Sequence, residues 1–176
     1  MTKTEKALLD TIAYAEGTLG VSNNGYDVVV TFKVINGWTE DTKIVHGDGD
    51  WVQKLSSSLS SSAAGRYQFL GSTWKGLNGN KNLPMTKDNQ DVAALKLVNK
   101  RLKATGIDNR SVSISELTDK AKFYIFLQKC AAEWASLPLT KDYNGKKAGN
   151  GYYGGQNSHK TADELYGVFM QAYNLY

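Results

Sequence analysis

The sequence predicts an α+β protein: a small β-hairpin lobe inserted after the first helix, a larger helical lobe following it, and a cleft between the two. Three observations carry this. Residues 3–16 have three-and-four apolar spacing. Residues 26–34 alternate apolar and polar around an Asn36-Gly37 turn signal. Downstream of the Ser-rich stretch the apolar spacing is helical again, up to the C-terminal segment.

The first helix opens with a capping box, Thr2 with Glu5, and Leu8, Leu9, Ile12, Ala13 and Glu16 share a face. Gly17 is placed to stop it, so Glu16 falls in the last helical turn at the junction of the predicted lobes. In the next segment every even position from Tyr26 to Val34 is apolar, which predicts a strand with Asp27 on the face opposite the core. Residues 38–45 are predicted to return after Asn36-Gly37. Residues 46–64, with HGDGD and SSSLSSS, read as loop.

Helices are then expected from Ser72 to Leu77, from Thr86 or Asp88 with Val92, Ala93, Leu97, Val98 and Leu102 on or near one face, and from Ser115 or Thr118 to near Pro138. Residues 141–157 are rich in Gly, Asn and Tyr. Thr161 with Glu164 caps a last amphipathic helix carrying Leu165, Phe169 and Tyr173. The whole is read as a single domain over 1–176, with the β lobe at about 23–64.

Composition narrows the chemistry. The chain has 176 residues, 41% hydrophobic and 22% charged, with net charge +4 and pI ≈ 9.0, the profile of an ordinary globular protein with a mild preference for acidic polymers. Its Lys and Arg residues are dispersed, which argues against nucleic acid as partner. The start of the chain lacks the unbroken apolar stretch of a signal peptide, and no segment is long and apolar enough for membrane insertion. Cys130, the one cysteine, sits in an apolar helical run and reads as a buried small residue. His46 and His159 have no metal-ligand spacing, so no metal and no cofactor are expected. GxSxG and P-loop patterns are absent, and the glycines of GDGD and GYYGG lack the strand-then-helix setting that a dinucleotide-binding fingerprint needs.

Carboxylate chemistry remains. A glycosidic leaving oxygen needs a proton donor that is still protonated near neutral pH. A Glu at a helix C-terminus against an apolar wall suits this, because desolvation and the negative helix end both disfavour its ionised form. An exposed Glu that merely ends a helix has the same spacing, and the residues alone leave both open.

The motifs favour the first. ALLDTIAYAEGT, NGYDVVV, AAGRYQFLGSTW, KDNQDVAAL, CAAEWASLP and GYYGGQNSHKTADEL occur in that order. Together they resemble the lambda-type phage endolysins over nearly the whole chain. The resemblance implies a lysozyme-like fold and cleavage of the β-1,4 bond between N-acetylmuramic acid and N-acetylglucosamine by lytic transglycosylation. It maps the catalytic acid onto Glu16, places Arg66, Tyr67 and Gln68 along the cleft floor, and places Tyr152 and Gln156 at one lip, with the Ser-rich loop opposite. The loop between Glu16 and Asp27 is shorter than in the family and 27–65 is longer.

Trp74 and Trp134 lie within helical patterns and are expected in the core; Trp51, in the loop, is the candidate for stacking on sugar. Tyr67 and Gln68 serve equally well as packing or capping residues. A hydrolytic muramidase with Glu16 as acid and Asp27 as base is the second reading, and a non-catalytic wall-binding protein the third. The resemblance further implies a monomer acting on peptidoglycan strands, held in the host cytoplasm and released to the cell wall or periplasm at lysis through a holin-type partner.

Overall fold

In the computed structural model, which describes residues 1–153 and 160–176, the chain forms five α-helices and one two-stranded antiparallel sheet. It divides into two compact units, Met1–Ala15 with Leu97–Tyr176, and Glu16–Lys96. None of the described helices is long and apolar enough to cross a membrane.

The first unit is built on helical apolar faces. Helix α1 (Lys3–Ala15) starts at the expected capping box: the Thr2 amide donates to Glu5 Oε2 at 2.7 Å and the Glu5 amide to Thr2 Oγ1 at 3.2 Å. Its buried face, Ala7, Leu8, Leu9, Ile12 and Ala13, packs on α5 (Ala162–Leu175). Helix α5 is capped by Thr161, whose hydroxyl accepts from the Glu164 amide. Helix α4 (Lys120–Cys130) inserts Phe123 and Phe126, and Phe123 meets Phe169 of α5 with ring centroids 5.1 Å apart. Trp134 is buried here, as expected. Cys130 is fully enclosed, and burial pushes its thiol far up, which removes it from nucleophilic chemistry.

Helix α4 departs from its expected bounds. Asp119 caps it, its side chain accepting from the Lys122 amide, and a 3-10 turn at Ile114–Glu116 closed by its own capping box at Ser113 precedes it. The helix ends at Cys130, well short of Pro138. The apolar run continues because Trp134, Leu137 and Leu139 are core residues of an irregular segment. That segment is tied down by Gln128, whose Oε1 accepts from the Thr140 and Lys141 amides at 2.7 and 2.9 Å. Buried Lys129 donates to the carbonyls of Leu102 and Ala104, satisfying groups at and beyond the end of α3 (Lys87–Lys103).

The second unit is mostly turns. Val28 pairs with Val34 in an isolated antiparallel bridge, and the chain reverses at Val30–Phe32 rather than at Asn36-Gly37. The period-two expectation therefore fails: Val28 and Val29 are both buried, while Phe32 and Val34 are about half exposed. Thr31 and Phe32 hold φ of 72° and 61°. For a β-branched and an aromatic residue the left-handed region costs roughly 1–2 kcal/mol each. Strands β1 (Gln53–Lys54) and β2 (Ser60–Ser61) lie within the stretch expected to be loop, β1 just before the serine tract and β2 inside it.

Helix α2 (Gly71–Leu77) begins one residue before Ser72 and has no side-chain cap. It buries Trp74, whose indole N–H donates to the Leu83 carbonyl at 3.0 Å. Helix α3 is capped by Thr86 and buries Ala93, Leu97, Val98 and Leu102, while Val92 is half exposed; the division between the units falls inside it.

Candidate functional site

Glu16 is the first residue past α1, in a turn with Gly17, and is partly buried. Gly17 takes φ +75°, the left-handed geometry that ends a helix and that a side chain resists. The next residue fixes the corner. Thr18 is fully buried and its hydroxyl donates to the Arg66 carbonyl at 2.6 Å, so the Glu16-Gly17-Thr18 turn is tied to the AAGRYQ turn 48 residues on.

A chain of buried polar groups backs this corner. The Arg66 amide donates to Gln90 Oε1 at 2.9 Å, and Arg66 Nη1 donates to the Asn24 carbonyl at 2.5 Å. Gln90 Nε2 donates to the carbonyls of Tyr26 and Met85. The hydroxyls of Tyr26 and Tyr67 both donate to Asp91 Oδ1, at 2.8 and 2.6 Å. Burial raises the Asp91 carboxyl, and the two phenols and the Arg66 charge oppose that shift. The phenols of Tyr26 and Tyr67 are pushed up, first by burial and then by the Asp91 charge. Gly65 is required here, since a Cβ would stand 2.2 Å from Gln90 Oε1 and φ is +77°.

The expected contact residues separate into groups. Arg66 and Tyr67 are about 1% and 0% exposed, so their side chains form the interior support of the corner and present no surface to a sugar; the expected direct contact is corrected there. Gln68 is half-buried at φ +50° with Nε2 donating to the Gly65 carbonyl, and it keeps accessible surface. Asp27, expected on a face opposite the core, is only 1% exposed. Its carboxylate accepts from Ser22 Oγ (2.7 Å), the Asn23 amide (3.2 Å) and Asn23 Nδ2 (2.7 Å), which staples the 22–27 turn. The hairpin alternation that assigned its side is not formed, and the turn preceding it folds over the carboxylate.

Trp51 stands in a different part of the same unit. It helps line a cavity of about 360 Å³ with Val29, Lys33, Val34, Ile44 and Gln53, and its ring lies 5.1 Å from that of His46. His46 is buried, with Nε2 at 2.8 Å from the Phe69 carbonyl and Nδ1 accepting from the Asp48 amide. Burial lowers its basicity, and it acts as a neutral bridge between segments. Tyr152 belongs to the helical unit, stacked on Tyr143 at 6.1 Å and edge-on to Tyr153, with Lys146 Nζ 4.6 Å above its ring. Gln156 and His159 lie outside the described residues.

Sequence reasoning misses Gln90 and Asp91 as site residues. Both stand in the KDNQDVAAL block, and they hold the Arg66–Tyr67 turn from the first turns of α3. The available signal is three consecutive polar residues, Asn89-Gln90-Asp91, of which two face inward on an otherwise solvated helix start.

Comparison with known proteins bears on the same residues. A family model described as Endolysin matches residues 6–173. The endolysin of Escherichia phage lambda is 30% identical over 172 residues, covering 95% of this chain and 89% of its own. The structure of bacteriophage lambda lysozyme complexed with a chitohexasaccharide superimposes with a TM-score of 0.68 at 26% identity, covering 98% of this chain and 95% of that one. A second lambda lysozyme structure gives 0.65 at 24% identity and shares the fold. The α+β arrangement expected from the sequence is thus that of the lambda lysozyme, and the chain belongs to the phage endolysins, lysozyme-like enzymes that act on peptidoglycan.

Proposed function

We propose that this endolysin is a lytic transglycosylase that cleaves the β-1,4 bond between N-acetylmuramic acid and N-acetylglucosamine, with Glu16 as its single acid/base. Protonated Glu16 gives its proton to the glycosidic oxygen as the C1–O bond breaks. The N-acetyl group of the muramic acid supports the positive charge at C1. Glu16, now a carboxylate, takes the proton of the C6 hydroxyl, and O6 closes on C1 to leave a 1,6-anhydro end. One carboxylate suffices because the substrate supplies its own nucleophile, unlike the two-carboxylate scheme. An attacker held within the same sugar gains up to ~7–11 kcal/mol from proximity.

The observation that carries this reading is the placement of Glu16 on a helix end whose next residues are pinned to the Arg66 turn by a buried hydrogen bond. Such a rigid support suits a group that must reach two oxygens in succession. The alternative, a hydrolytic muramidase with Asp27 as base, is disfavoured by the burial of Asp27 and its three local donors. Gln68, Trp51, Tyr152 and Gln156 are the remaining candidates for sugar contact. The similar lambda lysozyme forms a complex with a chitohexasaccharide, which favours a glycan-strand substrate here too. The same reading has one catalytic domain acting as a monomer, held in the host cytoplasm until a holin-type partner gives access to the wall.

Mass spectrometry of digested peptidoglycan tests the chemistry. Wild type is expected to leave fragments one water lighter than hydrolysis products, and Glu16→Gln to lose about 10²–10⁴-fold in rate. Reducing ends alone would select the muramidase; a fully active Glu16→Gln would remove Glu16 from the mechanism; wall binding without turnover by both proteins would select the binding protein.

A further inference from the structure

At the Thr31–Phe32 corner two consecutive non-glycine residues, one β-branched and one aromatic, hold the left-handed region. Both residues take left-handed φ, 72° and 61°, where Gly or Asn is the usual occupant. Neither side chain supplies core burial in return: Thr31 is exposed and Phe32 is 48% exposed. The corner is firmly held by its neighbours. The Val29 amide donates to the Lys33 carbonyl, the Phe32 amide to the Val29 carbonyl, and the Val30 amide to the carbonyl of Ala63, the first residue of AAGRYQ.

The Phe32 ring leans on the residue next to Glu16. A Cβ placed on Gly17 would lie 3.3 Å from Phe32 Cζ and 3.8 Å from Cε1, so the outer edge of the ring abuts the Gly17 backbone. The residue keeps about half of its surface exposed, and the backbone its ring meets belongs to the neighbour in sequence of the proposed acid. Strain maintained at an exposed aromatic is characteristic of a functional surface, and a flat apolar face is what the C–H side of a pyranose ring packs against.

We propose that Phe32 is a sugar-contact residue of the Glu16 site, its ring forming an aromatic ledge for an N-acetylhexosamine unit next to the bond that is cut. This rests on the assignment of Glu16 as acid but is measured separately, by binding. In the full-length Glu16→Gln background, the affinity for chitohexaose is compared by calorimetry among Phe32, Phe32→Gly and Phe32→Tyr. Phe32→Gly is expected to weaken binding about five- to tenfold. Its thermal midpoint should not fall, because glycine relieves the left-handed backbone. Phe32→Tyr, which returns the aromatic face, should restore affinity to within about twofold. In the active background Phe32→Gly should raise KM with kcat nearly unchanged.

The proposal is overturned if Phe32→Gly binds chitohexaose as tightly as Phe32, or if Phe32→Tyr is as weak as Phe32→Gly. It is also overturned if the loss in Phe32→Gly comes with a drop in midpoint, which would make the ring a brace for the Gly17 turn. An active Glu16→Gln enzyme would instead defeat the acid assignment and leave the binding comparison readable.

Discussion

The two units are held together by different physics. In Met1–Ala15 with Leu97–Tyr176, stability comes chiefly from side chains that meet at helical spacing: Leu8 and Ile12 on α1, Phe123 and Phe126 on α4, Leu165 and Phe169 on α5, all fully buried. In Glu16–Lys96 a large share of the interior is polar. Thr18, Asp27, His46, Arg66, Gln90 and Asp91 are nearly inaccessible; Asp27 staples its own turn, and each of the others bonds to a segment elsewhere in the unit. Apolar packing is non-directional and tolerates small shifts, whereas a buried hydrogen-bond chain fixes positions. The unit that carries Glu16 is the one built for fixed positions.

This contrast can be broken by mutation. The largest loss of stability is expected in the apolar unit. Phe169→Ala removes a ring that touches those of Phe123, Tyr166 and Tyr173, and should lower unfolding free energy by about 3–5 kcal/mol in urea titration. At temperatures where the variant remains folded, its wall-clearing rate should stay near wild type. Asp91→Ala comes next. It removes the shared acceptor of two buried phenol hydroxyls, for about 2–4 kcal/mol, and unlike Phe169→Ala it should depress the rate of the folded enzyme. If the two variants lose rate in equal proportion to stability, the contrast between packing and positioning fails.

Thr18→Val sharpens the comparison. Loss of the bond to the Arg66 carbonyl should cost about 1–2 kcal/mol, and the freed Glu16 corner should lower kcat about tenfold with KM little changed, as steady-state kinetics on cell-wall substrate will show. The smallest effect concerns pH. Burial holds His46 below its ordinary 6.5, so the native state binds fewer protons than the unfolded chain. The stability it contributes is complete above about pH 6.5 and is lost as pH falls through the lowered folded value. Thermal melts from pH 7 to pH 5 should therefore show a steeper decline in wild type than in His46→Asn. The raised Asp91 carboxyl, which acts in the opposite direction, is common to both proteins and cancels in the difference.

Legibility in the sequence follows the same division. Helices α1 and α5 are readable because their capping boxes and apolar spacing are local, and Glu16 is placed to within one residue of the helix end. The end of α4 is not, since Trp134 and Leu137 extend an apolar run that is core without being helix. In the second unit, Asn36-Gly37 looks like the stronger turn signal, yet the chain reverses at Thr31–Phe32, two residues whose types oppose the conformation they hold. The two-residue strands β1 and β2, one before the serine tract and one within it, carry no alternation to read. Arg66 and Tyr67 belong to a recognisable motif, but whether they face in or out depends on Gln90 and Asp91, more than 20 residues away. Pairings of that kind leave no trace in local spacing.

The enclosed thiol of Cys130 has a consequence beyond packing. With no second cysteine in the chain, nothing in the fold has to be oxidised to mature or protected from reduction. The fold of this chain is therefore held by the same covalent bonds in a reducing as in an oxidising medium, and its stability should not respond to added thiol reductant.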